Sequence, residues 1–479
     1  MTLLPTAERT PWLDAGAVER LGRYISRALR RMRHGDGPRL VSVSTRLADP
    51  SVDPVGTVCA SRRDGEPWFA LEQPDRDGLA IAGLGSAHAI EAAGPDRFAE
   101  ASRRWRELRA EAECDPVDGP PGSGLAAFGG FAFAPDGGAS PDWRGFAPGS
   151  MLVPEVSLAR QGGATWLTVN AEVSPGDTRE DVMKRIERRL GSVRSGALPL
   201  FDPHPTGRYE VASPMPPAHF EEAVSRAVQR IRAGEFQKVV LAREVDVHAP
   251  AAHDPAAVFG LLREAFDSSY IYAVGRGDAT FVGASPELLI RRQGQRATTV
   301  ALAGSARRSA DPAVDDHLGE QLLRSDKDRE ENAIVARRIA RTLRPFAVWV
   351  TAAREPVVVR VANIQHLAAP IRAQLAAPMD AVELAGRLHP TPAVGAEPDS
   401  ALSIIPALEG FDRGWYAGAV GWTDASGDGE FLVALRCALL RGAGARCYAG
   451  CGIVRDSDPA AELAETEVKL QVMLPALSG

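Results

Sequence analysis

Apolar positions recur along this chain at two spacings. Between 15 and 33, Val18, Leu21, Ile25 and Leu29 return every three or four residues, which predicts a helix. Strand-like runs follow at 40–43, 68–71, 125–133, 153–158 and 165–169, and helical patterns at 95–113 and 178–190. The stretch SGALPLFDPHPTG at 195–207 reads as a linker or long loop. From 216 to 233, Phe220, Val224, Val228 and Ile231 share one helical face, and Gly234 ends it. A strand is expected over 236–247, then strand-like runs at 269–275, 279–284, 287–292 and 298–302. One long helix is predicted over 315–343. PTPAVGAEP at 390–398 reads as a rigid loop. Strands are expected near 416–422, 430–440 and 446–454, and a last helix over 459–474. Strands and helices interleave without a regular βαβ period, which favours an α+β fold over a doubly wound one.

Composition narrows the function classes. Of 479 residues, 45% are hydrophobic and 24% charged, the profile of a globular chain. A net charge of −7 argues against a general nucleic-acid binder. No apolar run reaches about 18 residues, so no membrane-spanning helix is expected. MTLLPTAERTPWLDAG lacks a basic region followed by an apolar one, so a cytoplasmic location is expected. No heptad or long apolar stripe calls for a partner chain, so a monomer is expected. Cys437, Cys447 and Cys451 lie close in sequence but form no CxxC pair, and structural thiols are favoured over zinc ligands.

Of 55 basic residues only four are lysine: Lys184, Lys238, Lys327 and Lys469. Such a bias usually reflects genome composition, yet it makes each lysine informative. Arginine keeps its proton in proteins, whereas lysine can lose it. Lys184 stands in the polar KRIERR and reads as surface. The other three fall in the most patterned segments.

Two predicted helices carry paired carboxylates. Asp328 and Glu331 are three apart, as are Glu462 and Glu465, and Lys469 follows Glu465 by four. This spacing puts each set on one helix face. Solvated surfaces with ion pairs would have the same spacing, and Glu462 would also complement a helix dipole. If the helices met, their carboxylates would need a cation. Mg²⁺ suits them, since it takes one or two carboxylates together with waters and a substrate oxygen.

Lys238 shares its strand face with Val240 and Ala242. An apolar setting lowers a lysine's pKa and suits a general base; an edge lysine reaching out to water fits the spacing as well. Glu287, among Leu288, Leu289 and Ile290, is either a general acid with a raised pKa or a strand-end glutamate. The glycine-containing LAGSARR (302–308) and YAGCGIV (448–454) follow strands, where bare amides can hold a carboxylate. Neither matches a P-loop or GxGxxG. Arg436 reads as a carboxylate clamp or as part of a structural ion pair.

Taken in order, KVVLARE, FVGASPELL, LAGSARR, SDKDREEN, NIQHL, LHPTPAVG, WYAGAVGW, GDGEFLVALR and AGCGIVRDSDPAAELAETEVKL resemble the chorismate-utilising enzymes, relatives of anthranilate synthase component I. The likeness spans about 210–477. FALEQPDRDGLAIAGLG and LAAFGGFAF look most like isochorismate synthases of menaquinone, siderophore or salicylate pathways. The resemblance implies one large α+β domain of two stacked, mostly antiparallel sheets ringed by helices. Residues 1–205 would be its N-terminal part and 206–479 the chorismate-binding catalytic part. It implies Lys238 as the base that activates water and Glu287 as the acid that protonates the departing hydroxyl. Glu331 and Glu465 would be the main Mg²⁺ ligands, supported by Asp328 and Glu462. Tyr416 and Arg436 would hold the enolpyruvyl carboxylate. Lys469, Gly304, Ser305, Gly450 and Gly452 would surround the ring carboxylate, and His366 would line the site.

Anthranilate-forming relatives resemble glutamine at the place of Lys238. Aminodeoxychorismate-forming relatives look as if they use a lysine nucleophile where Ala303 stands. Water is therefore the expected nucleophile and isochorismate the expected product. A salicylate synthase, which would go on to expel pyruvate, is the nearest alternative. A non-catalytic anion-binding homologue is the other.

Overall fold

Period-two patterns along the chain build two large sheets, one of 13 and one of 10 strands among the described residues. The computed structural model describes residues 12–33, 37–116, 118–202, 207–361 and 364–478. The start of the N-terminal segment (1–11), residues 203–206 of the proline-rich stretch and Asn363 of NIQHL lie outside them. Strand pairing is antiparallel throughout, except where Arg39–Arg46 meets Glu113–Cys114.

The strand Tyr270–Gly277 shows how the layers form. Tyr270, Tyr272 and Val274 enter a core shared by both sheets, while Ile271 and Ala273 enter a second core. The first core also takes in the helices Arg97–Glu111, Pro217–Arg232, Asp326–Leu343 and Ala381–Leu388. The second lies between the larger sheet and the helices Ala15–Arg31, Pro54–Ser61, Arg179–Gly191 and Pro255–Ala265. Strands from before and after residue 205 are neighbours in both sheets. Gly65–Gln73 pairs with Tyr270–Gly277, and Ala126–Phe131 pairs with Ala419–Asp424. Among the described residues no helix is long and apolar enough to cross a membrane. All five cysteines are free, with Cys437, Cys447 and Cys451 buried.

Several predicted elements divide in the structure. The run at 430–440 is two strands, Gly429–Val433 in the smaller sheet and Cys437–Arg441 in the larger. Arg436, at φ +50°, turns the chain between them. The run at 153–158 likewise changes sheets, between Gly149–Val153 and Val156–Gln161. The predicted 315–343 helix breaks at Ser325, whose extended backbone ends Pro312–Arg324 and whose hydroxyl caps Asp326–Leu343 by accepting from the Asp328 amide. The 390–398 loop contains a short strand, Ala396–Glu397, paired with Lys238–Val239. The predicted last helix stops at Leu470, and Leu474–Ser478 forms a separate short helix.

Two sheet crossings lie side by side. Ala279–Ser285 passes to Leu288–Gln293 through Pro286 and Glu287, next to the Gly429–Val433 to Cys437–Arg441 crossing. They are bonded to each other. The Val433 amide donates to the Glu287 carbonyl at 3.0 Å, and the Ala284 amide to the Arg436 carbonyl at 3.0 Å. The buried Ser285 hydroxyl donates to the Val433 carbonyl at 2.6 Å and accepts from the Glu287 amide at 3.2 Å. Ser285→Ala strips partners from buried backbone groups, and the expected loss is about 1–3 kcal/mol. Chemical denaturation checks this, and an unchanged midpoint would refute the bridging role.

Candidate active site

Lys238 opens the strand Lys238–His248, just after the helix Pro217–Arg232 ends and Gly234 turns the chain at φ +81°. The strand is flanked on one side by Gly444–Ile453 and on the other by two short strands. Lys238 is therefore interior and 0% exposed, which rules out the edge lysine reaching for water. Its Nζ lies 2.8 Å from Glu331 Oε1, a partner on a distant helix that local spacing does not reveal. Across the ladder, a Cβ on Gly452 would stand 2.1 Å from Glu331 Oε1 and 2.7 Å from Lys238 Cε. Glycine there makes room for the pair.

Glu287 is 4% exposed. Burial pushes its pKa up to about 8, outweighing the pull of Lys238, Lys469 and Arg436. At neutral pH it is predominantly a protonated acid.

The two carboxylate-bearing helices do meet. Lys327 Nζ on Asp326–Leu343 reaches Glu462 Oε1 on Pro459–Leu470 at 2.9 Å. Glu331 and Glu462 are buried, so these are not solvated faces. Glu465 is bound by Lys469 Nζ at 2.7 Å and by the Ser305 hydroxyl at 2.7 Å. Burial opposes its ionisation, but these two partners hold its pKa down at about 2. Asp328 is shifted upward, first by burial and then by neighbouring Glu331 and Glu465. Lys469 also donates to the Gly450 carbonyl at 2.8 Å. Among the described residues, no three His, Cys, Asp or Glu side chains are arranged to hold a metal ion.

Arg436 forms no ion pair among the described residues. Its Nη2 donates to His366 Nε2 at 3.0 Å, and its Nη1 is buried without a partner. His366 Nδ1 lies 3.3 Å from the Gly304 carbonyl. Tyr416 stacks on Tyr448 with centroids 5.1 Å apart. Behind this stack, buried Arg413 pairs with Glu409 and donates to the Val240 and Val394 carbonyls.

Most of these groups border one cavity. Glu287, Glu331 and Glu465 line it with carboxyl groups, Lys469 and Arg436 with cations, and His366 and Tyr416 with neutral rings. Gly304, Ser305, Gly450 and Gly452 supply small or backbone surface. Lys238, Asp328 and Glu462 stand behind that lining. Tyr448 lines the cavity too, and its only mark in the sequence is that it opens the YAGCGIV block. Lys327 joins the two carboxylate-bearing helices, and in the sequence only the scarcity of lysine singles it out. Its partner Glu462 is far away in sequence, and no local signal connects them.

The chain belongs to the chorismate binding enzyme family, which it matches over residues 27–478. It is 38% identical over 456 residues to the salicylate biosynthesis isochorismate synthase of Pseudomonas aeruginosa, covering 95% of this chain and 94% of that one. It is 32% identical over 464 residues to isochorismate synthase MenF of Bacillus subtilis, covering 95% and 97%. Its fold superposes on MenF, the menaquinone-specific isochorismate synthase from Escherichia coli, with a TM-score of 0.75 and 28% identity over 96% of this chain and 100% of the other.

The Glu287 shift carries a stability signature. An unfolded glutamate ionises near 4.5, whereas the folded Glu287 keeps its proton to about 8. Between those values the folded state binds more protons, so stability falls as pH rises. Glu287→Gln removes this dependence. Its denaturation midpoint should gain on wild type steadily from pH 5 to 8 and level off above. A constant difference across that range would refute the buried-acid assignment.

Proposed function

We propose that this protein is an isochorismate synthase, which converts chorismate reversibly to isochorismate with Mg²⁺. The observation that carries the reading is a neutral buried acid, Glu287, in the same cavity as a guanidinium with an unpaired Nη1, Arg436. Chorismate has two carboxylates and a ring hydroxyl that must leave, so it requires both groups.

The donor set suits a hard cation. Glu331 and Glu465 present carboxylate oxygens to the cavity, and Mg²⁺ usually takes only one or two such ligands from protein. Asp328 and Glu462 would assist through water. Held there, Mg²⁺ would neutralise the two glutamates and bind a substrate carboxylate oxygen.

Arg436 and Tyr416 bind the enolpyruvyl carboxylate. Lys469, Ser305 and the backbone at Gly304, Gly450 and Gly452 surround the ring carboxylate. In its neutral form Lys238 takes a proton from water, whose oxygen adds at ring C2 as the double bonds shift. The C4 hydroxyl departs as water with the proton of Glu287. The net change is an exchange of hydroxyl position. Ala303, in the cavity wall, offers no nucleophile to compete with water.

The test is product analysis with chorismate and Mg²⁺. Isochorismate without pyruvate supports the proposal. Salicylate with equimolar pyruvate would move the assignment to a salicylate synthase using the same Lys238 and Glu287. No Mg²⁺-dependent consumption of chorismate would overturn it. Lys238→Ala and Glu287→Gln should each cut turnover by about 10²–10⁴-fold or more while the protein stays folded. Wild-type turnover should decline as pH rises through about 8, where Glu287 loses its proton.

A further inference from the structure

We propose that His366 is a positioning residue for Arg436, aiming the guanidinium at a substrate carboxylate without cancelling its charge. The inference rests on the isochorismate synthase reading and adds to it.

His366 lies on the strand Ile364–Leu375, opposite Ser305 on Arg296–Arg307. The register of that pair shifts between Leu302 and Ser305, and Gly304 sits in the irregularity at φ +80°. The Gly304 carbonyl thereby faces His366 Nδ1 at 3.3 Å. A carbonyl can only accept, so the ring proton belongs on Nδ1. Nε2 is then a bare lone pair, and it accepts from Arg436 Nη2 at 3.0 Å. Burial first, and then the Arg436 charge, lower the His366 pKa to about 3, so the ring is neutral at working pH.

Buried Arg413 is held differently, since it pairs with Glu409 and a buried carboxylate cancels its charge. Arg97 and Arg276 are also buried and held by neutral backbone carbonyls, but neither lines the cavity. Arg436 is oriented by a neutral acceptor and lies in the cavity wall. Its Nη1 stays unpaired on a residue that lines the cavity. A buried cation without a counter-charge is costly, and a carboxylate ligand relieves that cost on binding. A glutamate at position 366 would orient the guanidinium equally well but would take the place of the ligand's charge.

The test compares two amides of different reach. The amide oxygen of His366→Gln can occupy the place of Nε2. That of His366→Asn reaches only as far as Nδ1. Steady-state kinetics and calorimetric binding of chorismate are measured for both, together with melting temperature. His366→Gln should stay within about threefold of wild type in KM and Kd. His366→Asn should raise both by about ten- to a hundredfold, the range for a lost hydrogen bond to a charged group, and change kcat less. Equal behaviour of the two variants would overturn the proposal, as would a fall in kcat with KM and Kd unchanged. His366→Glu should bind chorismate more weakly than His366→Gln, and tighter binding would also overturn it. A wild type that neither binds nor converts chorismate defeats this inference together with the functional reading. A wild type that converts chorismate but is indifferent to the Gln and Asn changes defeats this inference alone.

Discussion

A fully buried lysine is tolerable only if a carboxylate meets it, and the contact between Lys238 and Glu331 sets the terms for the rest of the cavity. Removing one partner of such a pair typically costs about 3–5 kcal/mol. The same rule repeats nearby. Lys327 answers Glu462 and Lys469 answers Glu465. Three of the four lysines in an arginine-rich chain are thus committed to one carboxylate cluster. Lysine presents a compact point charge on a flexible stem, whereas arginine presents a rigid fork. A crowded group of buried acids is better matched by the compact charge.

The two adjacent sheet crossings decide where the remaining chemistry goes. A strand passing from one sheet to the other brings its connecting residues into the space between the layers. Glu287 and Arg436 are such residues, and backbone hydrogen bonds fix one crossing to the other. The acid and the guanidinium are consequently held at a set separation by main chain, with no long loop to hold them. On the other sides, Lys238 comes from the larger sheet, the Gly304 irregularity from the smaller, and the carboxylates from two helices that pack against them.

The α+β class and most elements around the cavity were legible because period-two and period-3.6 patterns are local. The places where the chain changes sheets were not. Residues 430–440 are apolar almost throughout, and nothing in that pattern marks a left-handed Arg436. Ser325 resembles any other helix residue until its capping bond is seen. For Lys238, Glu287 and the carboxylate pairs, spacing left a bland alternative open. Burial removes the solvated reading for Lys238, Glu287, Glu331 and Glu462, which are all buried. The resemblance of ordered motifs supplied the roles, whereas the lysine partnerships depend on which helix meets which strand. Those contacts are tertiary and leave no trace in local sequence.

The interleaving of strands also bears on how the protein is made. Lys238–His248 finds its longest ladder with Gly444–Ile453, roughly two hundred residues later, and Ala126–Phe131 waits still longer for Ala419–Asp424. A nascent chain on the ribosome therefore carries Lys238 and Glu287 well before the cavity they belong to can form. Until the last strand of the larger sheet emerges, an apolar strand edge stands open to wrong pairings. Such a chain completes its cavity all at once and late, and is most open to mispairing in the interval before.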